Sequence, residues 1–393
     1  MSGGALLMWD EAVTGYDFGP GHPMDPVRLA LTMRLVESLG LDAQKDLKIS
    51  AAKAVGDSTL RLVHRQDYID AVRRISADPR SATGEFGLGT PDDPAFAGMH
   101  EASSLIAGQS VAAADAVWRG DVLHGVNFAG GLHHAMHASA SGFCIYNDAA
   151  LAIARLLEQG AERVAYVDVD VHHGDGVQDA FWNDPRVLTI SLHEHPRMLF
   201  PGTGWPEDTG GPDAEGGSVN VALPAGTGDE GWLRALHAVV PELLAEFRPQ
   251  ALVTQHGADT HFEDPLAHLA VSVDAHRAAA EALHGWAHEY AGGRWVALGG
   301  GGYAVFDVVP RSWTHLVGIA AGAPVPPETE VPDSWRELVY ARTGGPAAPQ
   351  RMTDGREPEA RVWAETGYDP ADALDRAVHA TRKAVFPAHG LMP

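Results

Sequence analysis

The chain has 393 residues, of which 45% are hydrophobic, in the range of an ordinary globular protein with a sizeable core. Its 52 acidic residues against 28 basic ones give a formal net charge of −24, a surface that repels phosphate backbones, so no nucleic-acid partner is expected. Cys144 is the only cysteine, which excludes an intrachain disulfide and suits a reducing cytoplasm.

No apolar run approaches the ~20 residues of a membrane span. No basic region precedes an apolar stretch at the start, so neither a membrane anchor nor a secretory leader is expected. In chain order, Leu6–Trp9 reads as a strand, His100–Trp118 as a helix and Val122–Phe128 as a strand. A helix over Asp148–Gln159 and strands over Val164–Val171 and Val187–Leu192 follow. Gly202–Gly217 reads as a long ordered loop. Gly226, Thr227 and Asp229 announce a helix over Glu230–Phe247, and Pro249 stops it. Strands over Ala251–His256 and Trp295–Leu298 complete the set. Short apolar strands alternating with helices predict one open parallel α/β sheet flanked by helices on both faces. Residues 1–320 read as the main domain. Residues 321–393, opening with the Gly-, Pro- and acid-rich stretch Pro324–Pro358, read as an extension packed on it.

The chemistry gathers in four places. In Val167-Asp168-Val169-Asp170-Val171-His172 the strand period puts Asp168, Asp170 and His172 on one face. Two buried carboxylates without a cation would cost several kcal/mol. Gly130-Gly131-Leu132-His133-His134 follows the Val122–Phe128 run, and Gln255-His256-Gly257-Ala258-Asp259 ends the next-to-last strand. Gly299-Gly300-Gly301-Gly302-Tyr303 follows the last strand, where glycines let the backbone approach a ligand. All four sit at carboxyl ends of parallel strands, the edge where such sheets bind ligands. Two aspartates and one histidine suit Zn2+ with one position left open, and Fe2+, Co2+ or Mn2+ would accept similar donors.

Together with Gly21-His22-Pro23-Met24-Asp25-Pro26-Val27-Arg28, His64-Arg65-Gln66-Asp67-Tyr68-Ile69 and Gly142-Phe143-Cys144-Ile145-Tyr146-Asn147-Asp148, these motifs resemble the histone deacetylase superfamily of the arginase–deacetylase fold. The stretch Trp9–Arg34 is most similar to bacterial acetoin-utilisation deacetylases. The resemblance runs from about Tyr16 to about Leu316. It implies that Asp170, His172 and Asp259 bind zinc. It implies that His133 and His134 are tandem catalytic histidines oriented by Asp168 and Asp175, and that Tyr303 binds the substrate carbonyl. Phe143 and Phe200 would wall an acyl-lysine channel, with Gly142 lending its backbone and Leu266 at the rim. Asp92, with Asp93 as competitor, would hold the substrate backbone, and Arg28 would line the cavity through which acetate leaves. A structural K+ would sit at Asp168, Asp170, His172, Ser191 and Leu192, and a second at Phe181, Asp184, Val187 and Gly217.

The implied activity is zinc-dependent hydrolysis of acetyl-lysine in a cytoplasmic protein such as acetyl-CoA synthetase. An acetylpolyamine amidohydrolase is the alternative within the same chemistry, and a non-catalytic acyl-lysine-binding protein the alternative outside it. An arginase-like binuclear manganese enzyme would need further ligands that His173, Gly174 and Asp175 do not supply.

Overall fold

The structure, a computed structural model, describes residues 3–345, 348–359 and 361–393. Among the described residues eight strands form one sheet: β1 (Ala5–Met8), β2 (Leu47–Ser50), β3 (His124–Asn127), β4 (Val164–Asp168), β5 (Val187–Glu194), β6 (Ser218–Leu223), β7 (Ala251–Gln255) and β8 (Trp295–Leu298). Their order is β2-β1-β3-β8-β7-β4-β5-β6, and every pairing is parallel. Strands β3 to β8 are buried along their whole length, so they read as continuous rather than alternating runs. Helices Met99–Arg119 and Asp148–Glu158 pack on each other and on the central strands. Helices Asp229–Phe247, Val273–Tyr290 and Val308–Ala320 form a second layer against the same strands. No helix among the described residues is long and apolar enough to cross a membrane.

Two edge strands escape the sequence reading. In β2 only Leu47 is fully buried, and β6 hides Ser218 and Asn220 among its apolar residues. The buried amide of Asn220 donates to Gln178 Oε1 (2.8 Å) and to the Asp208 carbonyl (3.0 Å), partners far away in the chain. The expected strand Val164–Val171 stops at Asp168. Beyond it, backbone N–H groups turn to carboxylates: Asp170 to Asp168 Oδ1, Val171 to Asp259 Oδ1 and His172 to Asp170 Oδ1, at 3.0–3.1 Å. Asp168, Asp170 and His172 therefore converge through a loop, not through a pleat.

The C-terminal residues lie on the same sheet and helices. Trp335 donates its indole N–H to the Leu31 carbonyl (2.9 Å), and the buried Arg234 pairs with the buried Asp375 (2.7 Å). Helix Ala373–Val385 lies along β6, where the Thr381 hydroxyl donates to the Asn220 carbonyl (2.6 Å).

Candidate active site

Strands β3, β8, β7 and β4 are consecutive neighbours at the centre of the sheet, so the four loops leaving their carboxyl ends meet. The loop after β4 carries Asp170 and His172, and the loop after β7 carries Asp259. His172 Nδ1 stands 3.1 Å from Asp170 Oδ1 and 3.0 Å from Asp259 Oδ2, and the three donor atoms lie within 4.8 Å of one another. Both carboxylates are wholly buried, and among the described residues histidines are their only ion-pair partners. Burial disfavours a charge on His172, but hydrogen bonds and the field of the two aspartates push its pKa up to about 10. Asp170 is lowered against its burial by His133 and His172, while burial and the Asp170 charge raise Asp259. The centre of this cluster is built for positive charge, which is what a divalent cation would bring.

The glycines explain how backbone reaches these acids. A Cβ at Gly301 would lie 1.9 Å from Asp259 Oδ2, and one at Gly257 2.1 Å from Asp170 Oδ2. Freed of side chains, the loop lets the Gly301 N–H donate to Asp170 Oδ2 (2.7 Å). Arg28, buried behind the run, donates to the carbonyls of Gly300 (2.9 Å) and Gly302 (3.1 Å) and stacks on Trp313.

The loop after β3 delivers the paired histidines. His133 Nδ1 lies 2.7 Å from Asp168 Oδ2, and His134 Nδ1 lies 2.7 Å from Asp175 Oδ1. Their Nε2 atoms are 3.0 Å apart. Burial resists charge on both rings. The field of Asp168 and Asp170 nevertheless takes His133 up to about 9, whereas burial and the His133 charge take His134 down to about 4. Tyr303 leans edge-on to Phe143, with ring centroids 5.9 Å apart. Burial, then Asp259 and Asp170, raise its phenol well above the ordinary value, so it stays a neutral donor.

Around the opening, the Phe200 ring meets His134 at 5.0 Å and His172 at 6.4 Å between centroids. Gly142 and Phe143 both take positive φ, 56° and 66°. A Cβ at Gly142 would press within 2.3 Å of the His134 ring. Asp92 Oδ2 accepts from the Gly142 N–H (2.7 Å) and is half-buried. Asp93 is buried, and burial with the neighbouring Asp92 charge pushes it up to about 9. Leu266 is half-buried, its N–H bound to Asp264 Oδ1 (2.9 Å).

Of the residues matched to cation sites, Asp168, Asp170 and His172 lie in the centre itself. Ser191, on β5, has its Oγ 2.9 Å from His193 Nδ1, and Leu192 is buried beside it. Phe181, Asp184 and Val187 follow one another through the turn into β5, beside Gly217; the Asp184 carboxylate is held by Arg186 (2.6 Å).

Three supporting residues are not among the site residues that the sequence reading singles out. Asp264 accepts from the Tyr303 N–H (2.8 Å). Asp148 accepts from the Gly131 (3.0 Å) and Leu132 (2.8 Å) N–H groups and so shapes the loop ahead of His133. The Tyr166 hydroxyl reaches Asp168 Oδ2 (2.7 Å). Each acts on a residue close in space, and only the spacing of Tyr166 and Asp168 hints at it.

A family model described as the histone deacetylase domain matches residues 22–320. The chain belongs to the histone deacetylase family. It is 42% identical over 330 residues to the acetoin utilization protein AcuC of Bacillus subtilis (strain 168), covering 82% of this chain and 85% of that protein. With the AcuC protein of Staphylococcus xylosus it shares 35% over 303 residues, 77% of this chain and 78% of that protein. A crystal structure of an HDAC homolog complexed with SAHA superposes with a TM-score of 0.81 at 28% identity, covering 96% of this chain and all of the other. The single parallel sheet with flanking helices is the architecture of this family.

Proposed function

We propose that the protein is a zinc-dependent amidohydrolase that removes acetyl from N-ε-acetyl-lysine in proteins. The observation that carries this reading is the convergence of Asp170, His172 and Asp259 beside the His133–His134 pair and Tyr303. Two carboxylates and one imidazole suit Zn2+ and leave a coordination position free; Fe2+ and Co2+ fit the same donors. Bound there, zinc supplies Lewis-acid polarisation of the amide carbonyl and acidification of water.

The chain's own groups do the rest. Asp168 and Asp175 are acceptors, so Nδ1 of each paired histidine carries a hydrogen. The contact between the two Nε2 atoms needs one more proton, and the opposite pKa shifts assign it to His133. Once its Nε2 lone pair turns from His133 to the attacking water, His134 takes a proton from it and returns one to the leaving amine. The neutral Tyr303 phenol donates to the developing oxyanion. Phe143 and Phe200 wall the channel, with Gly142 and Leu266 at its rim. Asp92 holds the substrate backbone, and Arg28 borders the path by which acetate leaves. K+ in the two matched loops would support the β5 side of the centre. Residues 1–320 make up the catalytic domain and 321–393 an extension upon it, a division supported by the contacts of Trp335 and Asp375. A cytoplasmic acetylated enzyme such as acetyl-CoA synthetase is the proposed partner, supported by likeness to proteins named for acetoin utilization.

Zinc-loaded protein assayed against acetyl-lysine peptides and N-acetylputrescine tests the reading. Faster turnover of the peptides is expected. Preference for N-acetylputrescine would make it an acetylpolyamine amidohydrolase. Binding of acetyl-lysine without turnover of either would leave an acyl-lysine-binding protein.

A further inference from the structure

At the opposite edge of the sheet lies a second convergence of ligating side chains. His124 opens β3 and is buried; His284 and His288 stand four residues apart on helix Val273–Tyr290, half-buried and exposed respectively. Residues at that spacing share one helix face. His124 Nε2 is 3.1 Å from His288 Nε2, which is 3.2 Å from His284 Nε2, and one ligand atom from each residue lies within 4.8 Å of the others. We propose that His124, His284 and His288 form a binding site for a divalent transition-metal ion of the zinc class, separate from the centre at the carboxyl edge.

The argument turns on where the protons can be. His124 Nδ1 lies 2.7 Å from the Ala320 carbonyl, which only accepts, so Nδ1 carries the hydrogen. His124 Nε2 therefore presents a lone pair. Its contact with His288 then needs a hydrogen on His288 Nε2, while a hydrogen bond given by His284 to that same atom needs it bare. Hydrogen bonding of neutral rings leaves one of the two contacts without a proton of its own. A cation among the three nitrogens accepts every lone pair at once. Tetrahedral Zn–N bonds of ~2.0–2.1 Å set neighbouring nitrogens about 3.3 Å apart, close to the two separations observed.

The surroundings agree. The Nδ1 hydrogen bond of His124 to Ala320 is the outer contact that fixes tautomer and ring orientation in metal-binding histidines. The Trp295 ring flanks His124 and His284, with centroids 5.7 and 5.4 Å away. His284 and His288 occupy the last two turns of their helix, and Ala320 ends helix Val308–Ala320, so two negative helix ends face the cluster. The exposure of His288 leaves the fourth position to water. Three imidazoles favour Zn2+, Ni2+, Co2+ or Cu2+ over Mg2+ or Ca2+. The ion would tie β3 to a helix of the outer layer.

The test is a Zn2+ titration of the chelator-treated full-length protein, read by calorimetry and by metal content after gel filtration. Wild type should bind one more Zn2+ than the double variant His284→Ala/His288→Ala, whether or not the carboxylate centre holds its own ion. Zn2+ should also raise the melting temperature of Asp259→Ala but not of Asp259→Ala/His284→Ala/His288→Ala. Because both altered histidines are on the surface side of the cluster, the double variant should fold and keep deacetylase turnover within roughly twofold. Equal stoichiometry in wild type and double variant, or a difference seen only at millimolar Zn2+, would overturn the proposal.

Discussion

At the carboxyl edge of the sheet two buried carboxylates face one imidazole; at the amino edge three imidazoles face one another. The first cluster holds more negative charge than its own groups can neutralise, in surroundings where unpaired charge costs several kcal/mol. It answers by raising the pKa of His172 and Asp259, that is, by gathering protons where a cation belongs. The second is different. Burial and mutual repulsion lower His124, and take His284 down to about 4, so these two rings are held neutral, with lone pairs to offer an ion. A metal at the carboxyl edge relieves stored electrostatic cost, whereas one at the amino edge adds a tie between elements already in place.

The strongest way to break this contrast is Asp259→Ala. It should abolish metal at the carboxyl edge and lower acetyl-lysine turnover by about 10³ or more, since Lewis-acid stabilisation is worth several kcal/mol. Stoichiometric metal at that edge, measured in the His284→Ala/His288→Ala background, would show that Asp259 is no ligand. Tyr303→Phe should cut kcat by about 10²–10³ with metal content unchanged. Near-normal kcat would remove the phenol from the reaction. Asp264→Ala leaves the Tyr303 and Leu266 N–H groups without their acceptor, and each such loss costs about 1–3 kcal/mol. It should lower kcat about tenfold and the melting temperature as well. A change in stability alone would make Asp264 only structural.

Acid sharpens the contrast between histidines held charged and histidines held neutral. His64 Nε2 accepts from the Asn147 N–H (3.0 Å), and burial takes its pKa down to about 4. Its unfolded value is about 6.5, so the unfolded chain gains the proton first as pH falls. The stability contributed by neutral His64 is complete above about pH 6.5 and is lost towards pH 4, about 3 kcal/mol over that window. His133 and His172, raised instead, work in the opposite sense. Urea unfolding from pH 8 to 4 should show a shallower fall in His64→Gln than in wild type. Identical slopes would mean that other groups carry the acid sensitivity.

The candidate catalytic set was legible as a cluster because its residues break the pattern around them. Asp168 and Asp170 interrupt a valine run, and His133, His134 and Tyr303 follow glycines that end strands. The central strands were legible for the complementary reason, being buried on both faces and apolar throughout. Asp264 and Asp148 were not, since each accepts backbone N–H groups from a loop elsewhere in the chain. Strand β6 was hidden because Ser218 and Asn220 satisfy their side chains through Gln178. The amino-edge histidines were hidden by distance: 160 residues separate His124 from His284, and an i,i+4 pair on a helix reads as polar surface.

The helix laid along β6 covers the last strand of the sheet. Strand β6 ends the sheet, and its Asn220 carbonyl is met by Thr381, 161 residues further along the chain. Until Ala373–Val385 leaves the ribosome, the nascent chain presents a bare strand edge, which is a template for pairing with another chain. A gene shortened to end near residue 320, where the family match stops, would make that exposure permanent and should yield aggregate in place of soluble protein. Helix Ala373–Val385, which lies outside the family match, thus covers the β6 end of the sheet.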